Sequence, residues 1–328
     1  MYFFEERHLK RKNIMQKFVL TILVLLAFSA AKAQSQVAVK HHNKIDEIKD
    51  FDDVRSFFNK IGGEKWKGVS LNKELNFKDA GLQKLQLLLK AQPWVKTDID
   101  NNGYTDLLVT GTWGSGGDPV ILCVMDKAEN TFFINRLTRR GFQYDVLPVV
   151  RTIGEAPAIL YYYYPDAGPF ENKPMPLTVD TLVFKFGDFA EYNSSPAKYH
   201  VERIQYNTSR CFGTCPEFEI IINKNGSAIY HAIMFNKNSK GEKVEGLFKA
   251  VIDTTAHQQI INLLNYIDPA KLKNDYKVNW TDDQSCDLVV TYDSGKTKKI
   301  HDYGLVGSFG LNNLYNLLSA LRLNQNWK

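Results

Sequence analysis

The segment from Cys211 to Pro216 constrains the fold of this chain more than any other stretch of its sequence. It runs Cys-Phe-Gly-Thr-Cys-Pro, so two of the four cysteines, a glycine and a proline fall within six residues. Proline fixes its own backbone torsion and glycine accepts torsions that other residues avoid, which is typical of a turn. An apolar run from Phe218 to Ile222 follows and predicts a β-strand. The chain must therefore place a tight turn with two thiols directly before a strand.

The two cysteines of this turn admit three interpretations. A glycine turn between Cys211 and Cys215 can bring their Cα atoms within disulfide range, which predicts a local structural bridge in an oxidising compartment. Thiol–disulfide exchange is the second, although redox motifs normally space their cysteines by two residues at a helix N-terminus. The third is a zinc site completed by Cys286 and either His231 or His301, because structural zinc takes four ligands. A bridge from either cysteine to Cys286 also stays open.

The N-terminus has the organisation of an export signal over residues 1–33. Lys17 precedes an uncharged apolar run, Phe18 to Ala30, and Ala31-Lys32-Ala33 fits the small-x-small cleavage pattern. Met15 is the predicted true start, since the charged residues before it stand outside an otherwise ordinary signal. An uncleaved anchor is the alternative, but the apolar run is short for a membrane span. We therefore expect a periplasmic or secreted protein that is soluble and has no transmembrane segment after cleavage.

Most of the net positive charge of the chain lies in this predicted signal. The formal net charge is +5, and residues 1–33 contribute six basic and two acidic side chains, which leaves the mature chain near +1. A nearly neutral chain lacks the electrostatic footprint of a nucleic-acid-binding protein. We therefore expect no nucleic-acid partner.

The sequence predicts an α+β fold of two domains, each an antiparallel sheet with two packed helices. A polar tail, residues 34–44, leads into an N-terminal domain over 45–195 and a C-terminal domain over 199–328. The tail contains His41-His42, which we interpret as part of a frayed terminus and not as a metal site, because no third ligand is near.

Apolar periodicity places the elements of the N-terminal domain. Residues at three- to four-residue spacing predict two helices with core-facing stripes, and Gly62-Gly63 ends the first. Short apolar runs between Gly, Pro and Asn/Asp turns predict the strands of one antiparallel sheet. The predicted helices cover 45–61 and 82–89, and the predicted strands cover 107–110, 120–125, 131–137, 144–153, 158–164 and 181–186.

Two hairpins, each followed by a helix, organise the C-terminal domain. The first turns at Asn225-Gly226, and the second turns at Asp293-Ser294-Gly295. A capping box, Thr255-x-x-Gln258, predicts the start of the first helix. The second helix has its apolar stripe over 311–321. Two helices on one face of the sheet would bury both stripes.

A loop before the strand at 107–110 has the spacing of a calcium site. The glycine at its sixth position, Gly103, permits the sharp turn that wraps oxygen ligands around one ion. It is not an EF-hand, because Val109 stands at the twelfth position where a bidentate glutamate is needed. The loop resembles the calcium loops of integrin-type propeller blades, but it occurs once. The alternative is an Asx-rich turn whose carboxylates cap backbone amides. The candidate ligands, at positions 1, 3, 5, 7 and 9, are Asp98, Asp100, Asn102, Tyr104 and Asp106.

The C-terminal domain as a whole resembles a known family. The C-x-G-x-C-P signature with Gly213 and Pro216, the strand after it, the far hairpin closing on Ile300-His301-Asp302-Tyr303-Gly304 and the final helix are similar to domain-of-unknown-function family 6438 of exported Bacteroidota proteins. The resemblance covers Val201 to about Leu323. It implies an exported setting and no established activity.

Two hypotheses of function follow. The sequence contains no H-E-x-x-H, no G-x-S-x-G and no Rossmann or Walker glycine pattern. The first hypothesis is therefore a non-catalytic binding module for a protein or envelope component, stabilised by a disulfide and Ca²⁺. The second is an envelope enzyme: a thiol oxidoreductase using Cys211 and Cys215, or a hydrolase using a metal at Asp98 to Asp106.

Overall fold

The computed structural model describes residues 40–115, 117–139, 145–154, 156–165 and 175–328. The predicted signal, residues 1–33, and residues 34–39 of the predicted tail lie outside the described residues. Within the described ranges, no helix is long and apolar enough to cross a membrane.

Two helices precede most of the strands, as predicted, but the first begins later than its apolar pattern. Helix α1 is Phe51–Gly62 and helix α2 is Ala80–Leu89. The side chain of Asp50 accepts hydrogen bonds from the backbone N–H groups of Asp52 and Asp53, which fixes the start of α1. Ile45 and Ile48 are buried, yet they lie in the turns before the helix. The stripe assigned to α2 is also partly wrong, because Leu88 is 75% exposed.

The N-terminal half contains two antiparallel sheets where the sequence predicted one. In the first sheet β1, β3, β4 and β5 follow one another, and β2 pairs with the same strand β3. In the second, β6 to β9 follow in chain order. The strands of the first sheet are β1 Val69–Leu71, β2 Trp94–Thr97, β3 Asp106–Trp113, β4 Asp118–Asp126 and β5 Phe132–Arg136. Those of the second are β6 Val146–Ile153, β7 Ala156–Tyr163, β8 Thr178–Lys185 and β9 Asp188–Glu191.

The two sheets share one core and each covers its other face with a helix. Leu108 and Ile121 of the first sheet cluster with Ile159 and Leu182 of the second. Leu107, Val109 and Leu122, on the opposite face of the first sheet, pack against Val54 and Phe58 of α1. Leu147 and Val149 of the second sheet pack against Leu82 of α2. Strands buried on both faces have continuous apolar runs instead of alternation, which is the pattern of β3 and β4.

The C-terminal half is a seven-stranded sheet with two helices, in agreement with the prediction. The strand order is β13-β12-β11-β10-β15-β16-β14, and every pair is antiparallel except β14 with β16. The strands are β10 Val201–Thr208, β11 Glu217–Asn223, β12 Ser227–Lys237, β13 Lys243–Val251, β14 Asp275–Lys277, β15 Ser285–Tyr292 and β16 Lys296–Tyr303. The helices are α3 Thr254–Ile267 and α4 Phe309–Asn324.

Both helices pack on one face of this sheet. Alternate residues of the strands are buried, and they cluster with the apolar stripes of α3 and α4. The cap of α3 differs from the prediction: Asp253, not Thr255, is the N-cap, because its side chain accepts from the N–H groups of Thr255 and Ala256. The capping-box pattern assigned the N-cap acceptor to Thr255, whereas the side chain that accepts these backbone N–H groups is that of the aspartate directly before the helix.

The first residues of α4 connect the two halves. Glu191, at the end of β9, accepts hydrogen bonds from the backbone N–H groups of Phe309 at 2.6 Å and Gly310 at 3.0 Å. Arg139 contacts Glu191 at 3.2 Å and stacks over the Phe309 ring at 3.8 Å. The Phe309 ring meets that of Tyr161 in the core between the two N-terminal sheets. Helix α4 therefore belongs to both cores.

Candidate functional site

The disulfide predicted from the cysteine spacing is present. Cys211 and Cys215 are bonded, with their Cα atoms 5.7 Å apart. Gly213, midway between them, has a φ of 153°, a conformation that favours glycine. The bond closes a five-residue loop directly before β11.

The disulfide loop is anchored to the sheet at both ends. Thr208, the last residue of β10, donates from Oγ1 to the Pro216 carbonyl at 2.8 Å. Gln284 donates from Nε2 to the carbonyls of Ser209 and Pro216, each at 2.9 Å. The N–H of Phe212 donates to the Asp282 carbonyl at 3.0 Å. The loop is therefore fixed both covalently and by hydrogen bonds from two strands' ends.

The side chain at the tip of this loop faces solvent. Phe212 is 89% exposed, more than any other large apolar residue of the described chain. Its backbone N–H donates to the Asp282 carbonyl, and the preceding residue, Cys211, is bonded to Cys215. Burying this phenyl ring in a partner would recover about 2 kcal/mol of transfer free energy.

The zinc interpretation is wrong. Cys211 and Cys215 are consumed by the disulfide, and Cys286 is a buried free thiol whose pKa is raised by burial. Cys286 is paired in register with Asp302, whereas His301 is paired with Asp287 and contacts its carboxylate at 2.8 Å. Neighbouring positions of a strand face opposite sides of a sheet, so His301 and Cys286 cannot share an ion.

Three of the predicted calcium ligands come together in the loop between β2 and β3. Carboxylate oxygens of Asp98, Asp100 and Asp106 all lie within 4.8 Å of one another. Asn102 connects this loop to its surroundings: it donates from Nδ2 to the Asp126 carbonyl at 2.7 Å and accepts from the Tyr104 N–H at 2.8 Å.

Carboxylates also bind the backbone of this loop. Asp98 accepts from the N–H groups of Asn102 at 3.0 Å and Gly103 at 2.8 Å. Asp106, which is fully buried, accepts from the N–H groups of Ile99 at 2.7 Å and Asp126 at 2.8 Å. The Asx-turn alternative and the ion-binding interpretation thus describe the same side chains, since each carboxylate has further lone pairs.

Burial makes the charged form of this cluster costly. The pKa of Asp106 is raised to about 7 by burial, against backbone hydrogen bonds that lower it, with Asp100 and Asp98 adding smaller increases. The pKa of Asp100 is raised to about 6 by burial and by the neighbouring Asp98. A divalent cation is the kind of charge that reverses such shifts.

Sequence analysis missed two residues that complete the loop. Asn43 donates from Nδ2 to Asp126 Oδ2 at 2.9 Å and to the Thr105 carbonyl at 2.7 Å, and both Asn43 and Asp126 are buried. The His41 ring stacks on Tyr104 at 4.6 Å. Residues 41–44 are therefore ordered, and the frayed-terminus interpretation is wrong for them. An acidic residue at the end of the apolar run of β4 was the available signal for Asp126.

Comparison with known proteins identifies one part of the chain. The family model described as Domain of unknown function (DUF6438) matches residues 202–322, which span β10 to α4. The resemblance drawn from the C-x-G-x-C-P signature is thus confirmed, and the N-terminal half has no family match. No curated protein matches the chain. No solved structure matches it either.

Proposed function

Residues 202–322 are a domain of family 6438, and from that premise we propose that the chain is an exported, non-catalytic binding module. Its disulfide loop contacts a protein or an envelope component. The observation that supports this is the Phe212 ring, which is exposed on a loop closed by a disulfide and tied to two strands' ends.

An anchored aromatic ring suits recognition for two physical reasons. Phenylalanine, like tyrosine and tryptophan, is enriched in the buried core of protein interfaces. A loop that is rigid before binding also loses less conformational entropy on association. Arg210 and Glu217 flank the loop as an ion pair at 3.2 Å, which places polar groups around the ring as at the rim of an interface.

Calcium serves rigidity in this proposal. Ca²⁺ would stabilise the charged form of this three-carboxylate cluster, in which burial raises the pKa values of Asp100 and Asp106. The ion would hold the loop to which residue 41 is bound, because the Gly103 carbonyl accepts from the His41 N–H at 2.8 Å. Calcium titration of the melting temperature tests this role.

The oxidoreductase alternative has less support. Catalytic thiols usually lie at a helix N-terminus, where the helix dipole lowers the pKa of the attacking thiol. Cys215 is followed by strand β11 instead, and the loop's hydrogen bonds favour one fixed shape. The hydrolase alternative requires a bound metal ion with one coordination position left free for water or substrate. Assaying model esters with and without Ca²⁺ in the same titration tests whether a bound ion supports hydrolysis.

Co-sedimentation with isolated envelopes of the source organism tests the binding function. We compare the unmodified chain, Phe212→Ser, and the matched control Val251→Ser, which removes another apolar side chain that is 74% exposed. The proposal predicts that Phe212→Ser weakens retention by about tenfold or more, as loss of an aromatic hot spot of at least about 1.4 kcal/mol requires. Equal retention of Phe212→Ser and the unmodified chain would contradict the proposal.

A further inference from the structure

A cavity of about 450 Å³ lies beside the disulfide loop, between the first N-terminal sheet and helix α4. Its wall includes Arg136 and Arg139, Thr208 and Pro216 from the ends of the loop, and residues of α4. The volume is within the range of about 300–1,000 Å³ that small-molecule sites occupy. Pro216 of the signature motif therefore lines the cavity, while Phe212 of the same motif is exposed to solvent.

Helix α4 presents a polar stripe to this cavity. Asn312, Asn316, Ser319 and Arg322 all line it. Their spacing of three to four residues places them on one face of the helix. The other faces of α4 are packed in the C-terminal core through residues such as Leu314 and Leu318. Helix α4 thus presents a row of hydrogen-bonding groups to a cavity that is open to solvent at Asn316.

Arg322 is a partly buried cation in this stripe. It donates from Nη1 to Asn236 Oδ1 at 3.1 Å and from Nε to the Ser319 carbonyl at 3.0 Å, and it stacks over the Phe218 ring at 4.3 Å. All three partners are neutral. Among the described residues, no carboxylate lies within ion-pair distance of its guanidinium. A desolvated cation without a counter-ion attracts an anion.

Arg139 supplies a second observation. Arg139 also lines the cavity, and its buried Nε has no hydrogen-bond acceptor within the described ranges of the chain. Its Nη2 contacts the carboxylates of Glu191 at 3.2 Å and Asp180 at 3.6 Å, so the Nε–H is the part of the guanidinium that the fold leaves unused. The charged residues of the cavity wall are three arginines and one aspartate. Because Glu191 and Asp180 pair with Arg139, Arg322 is the cation through which this cavity attracts an anion.

We propose that this cavity binds a small organic carboxylate. The carboxylate pairs with the guanidinium of Arg322, where two parallel hydrogen bonds match the geometry of both groups. Asn316 and Ser319 donate or accept at the polar part of the same molecule, and the rings of Phe218 and Phe309 contact its carbon skeleton. The inference concerns a different surface from Phe212 and does not depend on the proposed partner.

Ligand-observed NMR on the purified chain tests this assignment with three acids and their amides. The pairs are glucuronate and glucuronamide, N-acetylglycine and N-acetylglycinamide, and benzoate and benzamide. These arms distinguish an acidic sugar, the carboxyl end of a peptide and an aromatic acid. We expect at least one acid to bind about tenfold more tightly than its amide, the difference that about 1.4 kcal/mol makes. If every acid bound with the same affinity as its amide, the proposal would be overturned.

Variants locate the site. Arg322→Gln should weaken binding of the acid about tenfold. The matched control is Arg203→Gln, because Arg203 is exposed on the opposite face of the sheet, and it should leave the affinity for the acid unchanged. If Arg322→Gln fails to fold by circular dichroism, Asn316→Trp replaces it, because Asn316 is exposed at the cavity's rim and a large ring there blocks entry. Acid binding that persists in a folded Arg322→Gln, or in Asn316→Trp, would refute the assignment.

Discussion

Replacing Glu191 by alanine should destabilise the fold more than any other single change at the surface of β9. Its two carboxylate oxygens accept the N–H groups of Phe309 and Gly310, the first two of helix α4. Ser308 Oγ accepts from Leu311 at 3.2 Å, so Glu191 and Ser308 together satisfy the N-terminal groups that the helix itself leaves unpaired. Arg139, whose side chain is 17% exposed, contacts the same carboxylate.

The size of the effect follows from these contacts. A lost helix cap costs about 0.5–2 kcal/mol, and a lost hydrogen bond to a charged group costs about 1.5–3 kcal/mol. Glu191→Ala also leaves Arg139 with one fewer carboxylate, although Asp180 remains at 3.6 Å. Because the Glu191 side chain is 33% exposed, water replaces part of the lost interaction. We expect a loss of about 2–3 kcal/mol in the free energy of unfolding.

Urea unfolding followed by tryptophan fluorescence measures this loss. Glu191→Gln keeps an acceptor oxygen and should lose less than Glu191→Ala. Glu64→Ala, at a side chain 89% exposed whose ion pair with Lys67 is 3.5 Å long, is the control and should stay within about 0.5 kcal/mol. If Glu191→Ala were as mild as Glu64→Ala, the carboxylate would not hold the start of α4 and the reasoning would be refuted.

Three further predictions concern the disulfide and the acidic loop. Cys211→Ser with Cys215→Ser should lower the free energy of unfolding by about 1–2 kcal/mol in urea, because the closed loop is short; an unchanged midpoint would count against a structural bond. With divalent ions chelated, stability should fall as pH rises from about 4 to 7, since the pKa of Asp106 is raised from its unfolded value of 3.8 to about 7. Asp106→Asn should reduce this dependence of stability on pH, measured as the difference in the free energy of unfolding between pH 5 and pH 8. Asp98→Ala with Asp100→Ala should abolish any rise of the melting temperature with Ca²⁺, and an identical rise in that variant would exclude the loop as the site.

The parts of the fold that the sequence predicted correctly depend on residues close together in the chain. The hairpins at Asn225-Gly226 and Asp293-Ser294-Gly295 are present because residues with positive φ at the turn determine the pairing beside it. The division of the N-terminal strands into two sheets was not predicted. An apolar run such as that of β4 shows that both faces are buried, but not which layer covers each face.

The same limit applies to the candidate sites. The Cys211–Cys215 bond and the cluster of Asp98, Asp100 and Asp106 depend on short spacings, and the structure brings both sets together. The contacts of Asn43 with Asp126 and of Glu191 with Phe309 join residues 83 and 118 positions apart. No local pattern contains that information, since such pairs form only when distant layers pack. The cavity beside α4 was missed for the same reason.

The reduction potential of the Cys211–Cys215 disulfide tests most directly whether this loop is a fixed contact surface. It is measured by equilibration of the purified chain with defined thiol–disulfide buffers and by quantifying the trapped thiols. A fixed contact surface requires a potential below about −300 mV, as for structural disulfides that resist reduction. A potential between about −120 and −200 mV would contradict it, because it would identify an exchange-competent pair and favour the oxidoreductase.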